Sequence, residues 1–297
     1  MNKLLTCLFL ISLGPWAGAQ TPLFEPMPEG SHDAFVGLGL ASRPSYEGSG
    51  LKRWQLEPVV QAAWASGFFI SGTQAGWRLS DLADDTTDAG RGAARWGHWE
   101  WGPLLSLRPG RNAQGRGWFV DSPGAIGALG NDVSNLAPPR GSLLQELDPI
   151  STQLEAGAFL NLRIGAQWRL SQSLLAGKGR DATALRWSVD LQYALPAPAP
   201  HHSLSWSAGG SWSNAGYNRS SFGITSAEAL RSGLASYTPG QGLSELRTQL
   251  RWNWALSPQW LLSTALQLSS LQGPARSSPL VERARSAAVS SALVYRF

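Results

Sequence analysis

Residues able to carry chemistry are few in this chain and poorly placed to cooperate. Four histidines stand at His32, His98, His201 and His202. The adjacent pair could ligate a metal, yet neighbours on an extended chain point to opposite faces. PAPAPHH, residues 196–202, therefore reads as a solvated turn. His98, between Trp96 and Trp99, reads as an interfacial strand residue. A hydrolase built on Ser, His and a carboxylate needs its base within hydrogen-bond reach of the nucleophile, and no His/Ser motif marks such a pair. The acidic run SDLADDTTDAGR, residues 80–91, holds four Asp but lacks the sixth-position Gly and final Glu of a calcium loop. No enzyme, catalytic residue, metal site or cofactor is expected.

The charges carry more information. Glu155 and Arg163 fall in one segment, Arg186 and Asp190 in another, and Glu245, Arg247 and Arg251 in a third. Each group is spaced by an even number of residues, which on an extended chain puts its members on one face. Arg169 and Arg296 occupy equivalent positions in their own segments. Two readings are open. They form cross-strand ion pairs that fill a narrow lumen, since a buried charge must be paired, or the excess of Arg makes an anion-favouring pore wall.

Strands must position them. In residues 185–194, Leu185, Trp187, Val189, Leu191 and Tyr193 oppose Arg186, Ser188, Asp190, Gln192 and Ala194. In residues 245–254, Leu246, Thr248, Leu250, Trp252 and Trp254 oppose Glu245, Arg247, Gln249, Arg251 and Asn253. From Ser203 to Ser213 every odd position is Ser or Gly. Each segment matches the length of a tilted membrane crossing, about nine to eleven residues. Similar segments lie near 34–43, 54–65, 67–79, 95–108, 152–162, 164–174, 258–271 and 285–297.

That makes eleven, whereas a closed bacterial barrel wants an even number. Splitting FFISGTQAGWRL, residues 68–79, into two short strands gives twelve; ten is the alternative. Connections alternate short and long, with a tight turn near Arg163 and Ile164. The expectation is an all-β fold, a transmembrane antiparallel up-and-down barrel. Its last strand pairs with its first, and Phe297 anchors the periplasmic end, because unpaired backbone in hydrocarbon costs several kcal/mol per group.

Composition agrees. Of the residues 15% are charged, while 15 are Trp and 33 Gly, and Trp favours interfaces where one end of the ring is wet. Trp recurs from Trp54 to Trp260, suiting two aromatic girdles. Residues 1–19 read as a signal peptide: Lys3, the apolar LLTCLFLISL, then Ala17-Gly18-Ala19 before a cut at Gln20. The only cysteine, Cys7, would leave with it, so the mature domain, residues 20–297, would hold no thiol. No later run of about eighteen apolar residues offers a spanning helix. The net charge of +4 is scattered rather than striped, so no nucleic-acid partner is expected. Outer-membrane lipid and lipopolysaccharide phosphates are the expected partners of rim arginines.

One loop reads as helical. In SAEALRSGL, residues 226–234, Glu228 falls in the first turn and Gly233 is placed to close the helix, although Ser226 leaves the capping box incomplete. Such a helix would fold over or into the barrel mouth.

Several stretches together resemble the MipA/OmpV family of outer-membrane proteins. VGLGLASRPSYEGSG (36–50), LEPVVQAAW (56–64) and GFFISG (67–72) are similar to the family's opening. LRPGR (107–111) and LEAGAFLNLR (154–163) are similar to its internal strands. YNRSSFGITSAEALRSGLASYTPGQGL (217–243) resembles its long loop, and SPLV (278–281) with the terminal YRF its end. The resemblance implies a protein of the cell outer membrane. It also implies a scaffold, in cell-wall assembly, for a lytic transglycosylase and a bifunctional murein synthase. A small diffusion channel is the alternative.

Overall fold

The computed structural model describes residues 32–79, 99–113, 115–117, 144–165 and 167–297. The expected signal peptide with Cys7, the acidic run at 80–91 and His98 lie outside these residues.

Fourteen strands and three helices follow one another among the described residues. They begin with β1 (His32–Pro44), β2 (Lys52–Trp64), β3 (Phe68–Ser71), β4 (Gln74–Trp77), β5 (Trp99–Arg108), β6 (Gly110–Asn112) and β7 (Gly115–Gly117). Next come β8 (Gln153–Ile164), β9 (Trp168–Lys178), β10 (Thr183–Leu195), β11 (His202–Ser213), α1 (Ala215–Phe222) and α2 (Ser226–Ser232). The chain ends with β12 (Gly242–Ala255), β13 (Trp260–Leu271), α3 (Gly273–Arg276) and β14 (Arg285–Arg296). Twelve of the strands close an antiparallel barrel, while β6 and β7 pair separately.

The twelfth strand comes from the expected split: β3 and β4 form a hairpin of four-residue strands, with Phe68 opposite Trp77. One boundary differs from the sequence reading. β8 continues through Ile164, and the turn opens at Gly165, which takes φ +61°. Ile164 keeps the outward side of the alternation, so nothing in the pattern ends the strand there.

Closure joins β14 to β1, with Phe35 opposite Arg296 and Ser42 opposite Val289. The Phe297 amide donates to the Ala34 carbonyl at 3.0 Å, extending the seam by one bond. Its ring, 70% exposed, meets Tyr295 edge-on at 5.0 Å, and Tyr295 meets Trp260 likewise at 5.2 Å. With both seam termini at one end, that end is periplasmic; its described turns are short, whereas the opposite end carries the long connections 109–152, 214–241 and 272–284.

Leu, Val and Trp fill the outward positions. Val36, Leu38, Leu56, Leu250, Leu266 and Leu293 are all exposed on the outside, as a wall solvated by hydrocarbon requires. Exposed Trp gathers at the periplasmic end, at Trp77, Trp99, Trp101, Trp168, Trp254 and Trp260; Trp54 and Trp187 stand toward the outer end. Inward positions are polar or small, including buried Ser171, Ser188, Ser205, Ser207, Ser211 and Ser263. Two apolar clusters interrupt that lining. Phe35, Val59, Leu261, Ala292 and Val294 pack beside the seam, and Ala63, Phe69, Leu104, Phe159 and Leu175 form the second.

Candidate functional site

Since the inward side chains and the outer loops distinguish this barrel from a generic one, the lumen and its mouth form the candidate site. Strand direction sorts the lumen charges by height. In the outer half, carboxylates and guanidiniums meet. Arg247 on β12 binds Asp190 on β10 with two bonds, Nε to Oδ1 at 2.9 Å and Nη2 to Oδ2 at 2.5 Å, and both side chains are buried. The pair must reach across β11, and the residue between them is Gly209, opposite Asp190 on one side and Arg247 on the other. A Cβ there would strike Asp190 Oδ1, so glycine is what lets this bridge form. Glu155, 1% exposed, joins Arg108 at 3.0 Å and Arg186 at 3.3 Å. Arg43 pairs with Glu57, and Glu245 lies 3.4 Å from Arg247.

Nearer the periplasm the proportions change. Arg163 on β8 and Arg169 on β9 are directly opposite each other. Arg169 is within electrostatic reach of Glu100, Arg163 and Asp190, and Arg251 within reach of Arg169. Arg251 is 7% exposed; its Nη2 donates to Gln249 Oε1 at 3.3 Å, and its Nε has no partner. Glu100 accepts from Asn161 Nδ2 at 3.4 Å. At the rim Arg296 holds Asp33 at 2.7 Å. The ion-pair reading of the charges is met at Arg43–Glu57, Arg108–Glu155–Arg186 and Arg247–Asp190.

The 214–241 loop is bonded to the outer rim of the barrel. Asn214 caps α1: its Oδ1 accepts from the Tyr217 and Leu185 amides, both at 2.9 Å, and its Nδ2 donates to the Thr183 carbonyl. α1 is thereby fixed to the top of β10. Tyr217, 4% exposed, sits under the guanidiniums of Arg108 at 4.8 Å and Arg186 at 5.6 Å. These come from β5 and β10, so one aromatic ring bridges the barrel between strands that are not neighbours. Burial pushes the Tyr217 phenol up, against the lowering effect of Arg186. Arg111 donates to the Ser221 carbonyl at 2.9 Å; its burial brings the guanidinium down to about 10.

α2 lies in the expected place, but its cap differs from the sequence reading. Thr225, not Ser226, is the N-cap, and the capping box is complete, with Thr225 Oγ1 accepting from the Glu228 amide and Glu228 accepting from the Thr225 amide. The Ser-first reading started the helix one residue late. Gly233 closes it at φ +72°, a left-handed conformation that glycine adopts without steric cost. Glu228 is 1% exposed, accepts from Arg180 at 2.7 and 2.8 Å, and also accepts from the Asp148 amide. Burial would raise its carboxyl, but the bonds from Arg180 and Thr225 bring it down to about 2. Above these contacts Tyr46, Leu144, Leu147, Ile224 and Leu280 form an apolar cluster, and Tyr46 donates to the Leu280 carbonyl. The sequence signalled α2; α1 gave no sign beyond Asn214, since its apolar residues have no helical period.

The histidines separate. His201 is exposed in its turn with φ +66°. His202 begins β11 and stacks on Trp252 at 5.5 Å and Trp254 at 5.4 Å, its Nδ1 accepting from Trp252 Nε1. The solvated-turn reading therefore fits His201 alone. His32 opens β1, exposed. Among the described residues no three His, Cys, Asp or Glu side chains cluster as metal ligands.

A closed twelve-strand barrel with an apolar exterior and an aromatic belt defines an outer-membrane β-barrel protein. The chain belongs to the family described as MltA-interacting protein MipA, whose model matches residues 36–297. No curated protein matches it. Among solved structures it is similar to a bacterial polysaccharide outer membrane secretin, at 9% identity over 89% of this chain and 98% of that one, with a TM-score of 0.44. The COG4313 outer membrane channel from Pseudomonas putida F1 is 12% identical over 91% and 97% of the two chains, with a TM-score of 0.40. A loop-deletion mutant of OmpT from Vibrio cholerae is 8% identical over 90% and 98%, with a TM-score of 0.34. Likeness of this degree carries no function across.

Proposed function

We propose that this protein is a non-enzymatic scaffold of the outer membrane that holds murein-processing enzymes, a lytic transglycosylase and a bifunctional murein synthase, at its periplasmic face. The family description, an MltA-interacting protein, supports the partner class. The observation that carries the reading against a channel is the occupied mouth. Tyr217 bridges guanidiniums from β5 and β10, and Arg108, Arg111 and Arg180 tie the loop to the barrel rim. A loop tied across the outer rim supports a working surface on the periplasmic side. Crosslinking of intact envelopes followed by purification of the barrel tests this: murein enzymes should co-purify in stoichiometric yield, and their absence overturns the scaffold.

The Arg excess of the inner lumen favours a second reading, an anion-preferring diffusion channel. The two separate in planar bilayers. The scaffold is silent; the channel conducts with the intact loop in place.

A further inference from the structure

The outer wall of the barrel is solvated by hydrocarbon, where a polar side chain finds neither water nor a hydrogen-bonding lipid group at its own depth. Leu, Val, Ala and Trp meet that condition at most outward positions. Well inside the strands, the outward polar side chains among the described residues are Gln172 on β9, Thr248 on β12, Thr264 on β13 and Ser291 on β14. The hydroxyls are satisfied within the chain. Thr248 accepts from Trp206 Nε1 and donates to the Ser207 carbonyl, both at 2.9 Å, and Thr264 and Ser291 bond each other at 3.0 Å. The Gln172 side chain makes no hydrogen bond with any described residue.

Its orientation and height follow from the ladder. On β9, Arg169, Ser171 and Ser173 are buried, while Trp168, Leu170, Gln172 and Leu174 share the other face. Gln172 is directly opposite Leu160 on β8 and Val189 on β10, both of the outward series. Trp168 marks the periplasmic end of that face and Lys178 its outer end, so the carboxamide stands in the apolar band. Trp168 lies roughly 13 Å away along the strand, beyond the reach of a Gln side chain.

An amide placed where nothing can hydrogen-bond to it is strongly unfavourable. Acyl chains provide no partner, and the backbone beside Gln172 is engaged in ladders on both sides. The wall of another barrel can provide one. Copies of one chain insert in a single orientation, so an axis relating two of them runs along the bilayer normal and sets equal heights face to face. A residue beside that axis meets its own counterpart. Gln suits such a place, because a carboxamide both donates and accepts, and two of them related by a two-fold axis exchange a reciprocal pair of bonds. Ala156 and Ala158, outward on the neighbouring β8, are small and exposed, which lets a second backbone approach, as small residues do at membrane interfaces.

We infer that the β8–β10 wall is the interface between two copies of this chain in the membrane, with the Gln172 carboxamides of the two copies bonded to each other near the two-fold axis. The inference is independent of the scaffold reading, since it concerns the lipid-facing wall and not the periplasmic face.

Crosslinking in native membranes tests it. The full-length chain with Cys7→Ser and Leu174→Cys, one outward step above Gln172, should form a dimer with a membrane-permeant bismaleimide. Leu266→Cys in the same background, exposed on the β13 wall, should stay monomeric. Energy transfer between labelled copies diluted in lipid vesicles reads the affinity. Gln172→Leu should weaken association about tenfold, and Gln172→Asn, which keeps a carboxamide, should weaken it less. Because the Leu variant adds hydrocarbon to a surface that faces lipid, its folding is not at risk. No crosslink from position 174, a crosslink from there only to a different protein, an equal yield from position 266, or an affinity unmoved by Gln172→Leu overturns the interface.

Discussion

The outer and inner halves of one lumen solve the same problem differently. Both bury arginine in a polar barrel, but in the outer half Glu155 and Asp190 each bond arginine and the Tyr217 ring lies beside two guanidiniums, while in the inner half Arg251 bonds the amide oxygen of Gln249. Paired ions with satisfied geometry rigidify a wall, whereas a buried guanidinium that bonds a neutral amide recovers less of its desolvation cost.

Removing the plug should produce the largest change. Replacing residues 215–232 with a short Gly/Ser linker takes out both α1 and α2, and planar bilayers that are silent with the intact protein should then show anion-preferring current. Smaller, and unequal in the two halves, is the effect of removing one arginine. Arg247→Met leaves Asp190 buried and unpaired, costing about 3–5 kcal/mol in urea unfolding in micelles. Arg251→Met removes a cation that meets no carboxylate, and should cost less than about 1 kcal/mol or stabilise. Equal losses would erase the distinction between the halves.

Next comes the lid. Glu228→Gln should weaken the docking of its loop by about 2 kcal/mol, seen as roughly thirtyfold faster limited proteolysis within 214–241. Because the folded carboxyl lies near 2, below its ordinary 4.5, the charged form is the one the lid stabilises. That contribution is complete above pH 4.5 and fades as pH falls toward 2, so proteolysis of the wild type should stay slow at neutral pH and accelerate only in acid. Thr225→Ala should have the smaller effect of the two lid changes, about 1 kcal/mol through the lost cap, in the same assay.

Much of this molecule was legible before any coordinates. Strict alternation located most strands, because lipid on one side and polar lumen on the other force period two; even the short β3–β4 hairpin followed from the need for an even count. The inward face of Arg186, Asp190, Arg247 and Arg251 was likewise readable from parity alone. Partners were not. Asp190 and Arg247 are 57 residues apart and meet only because Gly209 lies between them in register, and register depends on loop geometry that parity does not encode. Height was equally hidden, so it could not be seen that Arg247 meets a carboxylate while Arg251, on the same face of the same strand, bonds an amide oxygen. α1 escaped for a different reason: its residues are chosen to fit a polar mouth, so they lack the apolar stripe by which helices are recognised.

The seam has a kinetic side. Because β1 and β14 are the first and last strands of the barrel in chain order, their pairing links residues far apart in the sequence, Phe35 with Arg296. Such non-local contacts are slow to form. Until translation and export finish, β1 can hold β2 on one edge while its other edge waits, a bare template open to wrong strands. Loss of the final few residues should therefore harm insertion far more than their share of the sheet would suggest.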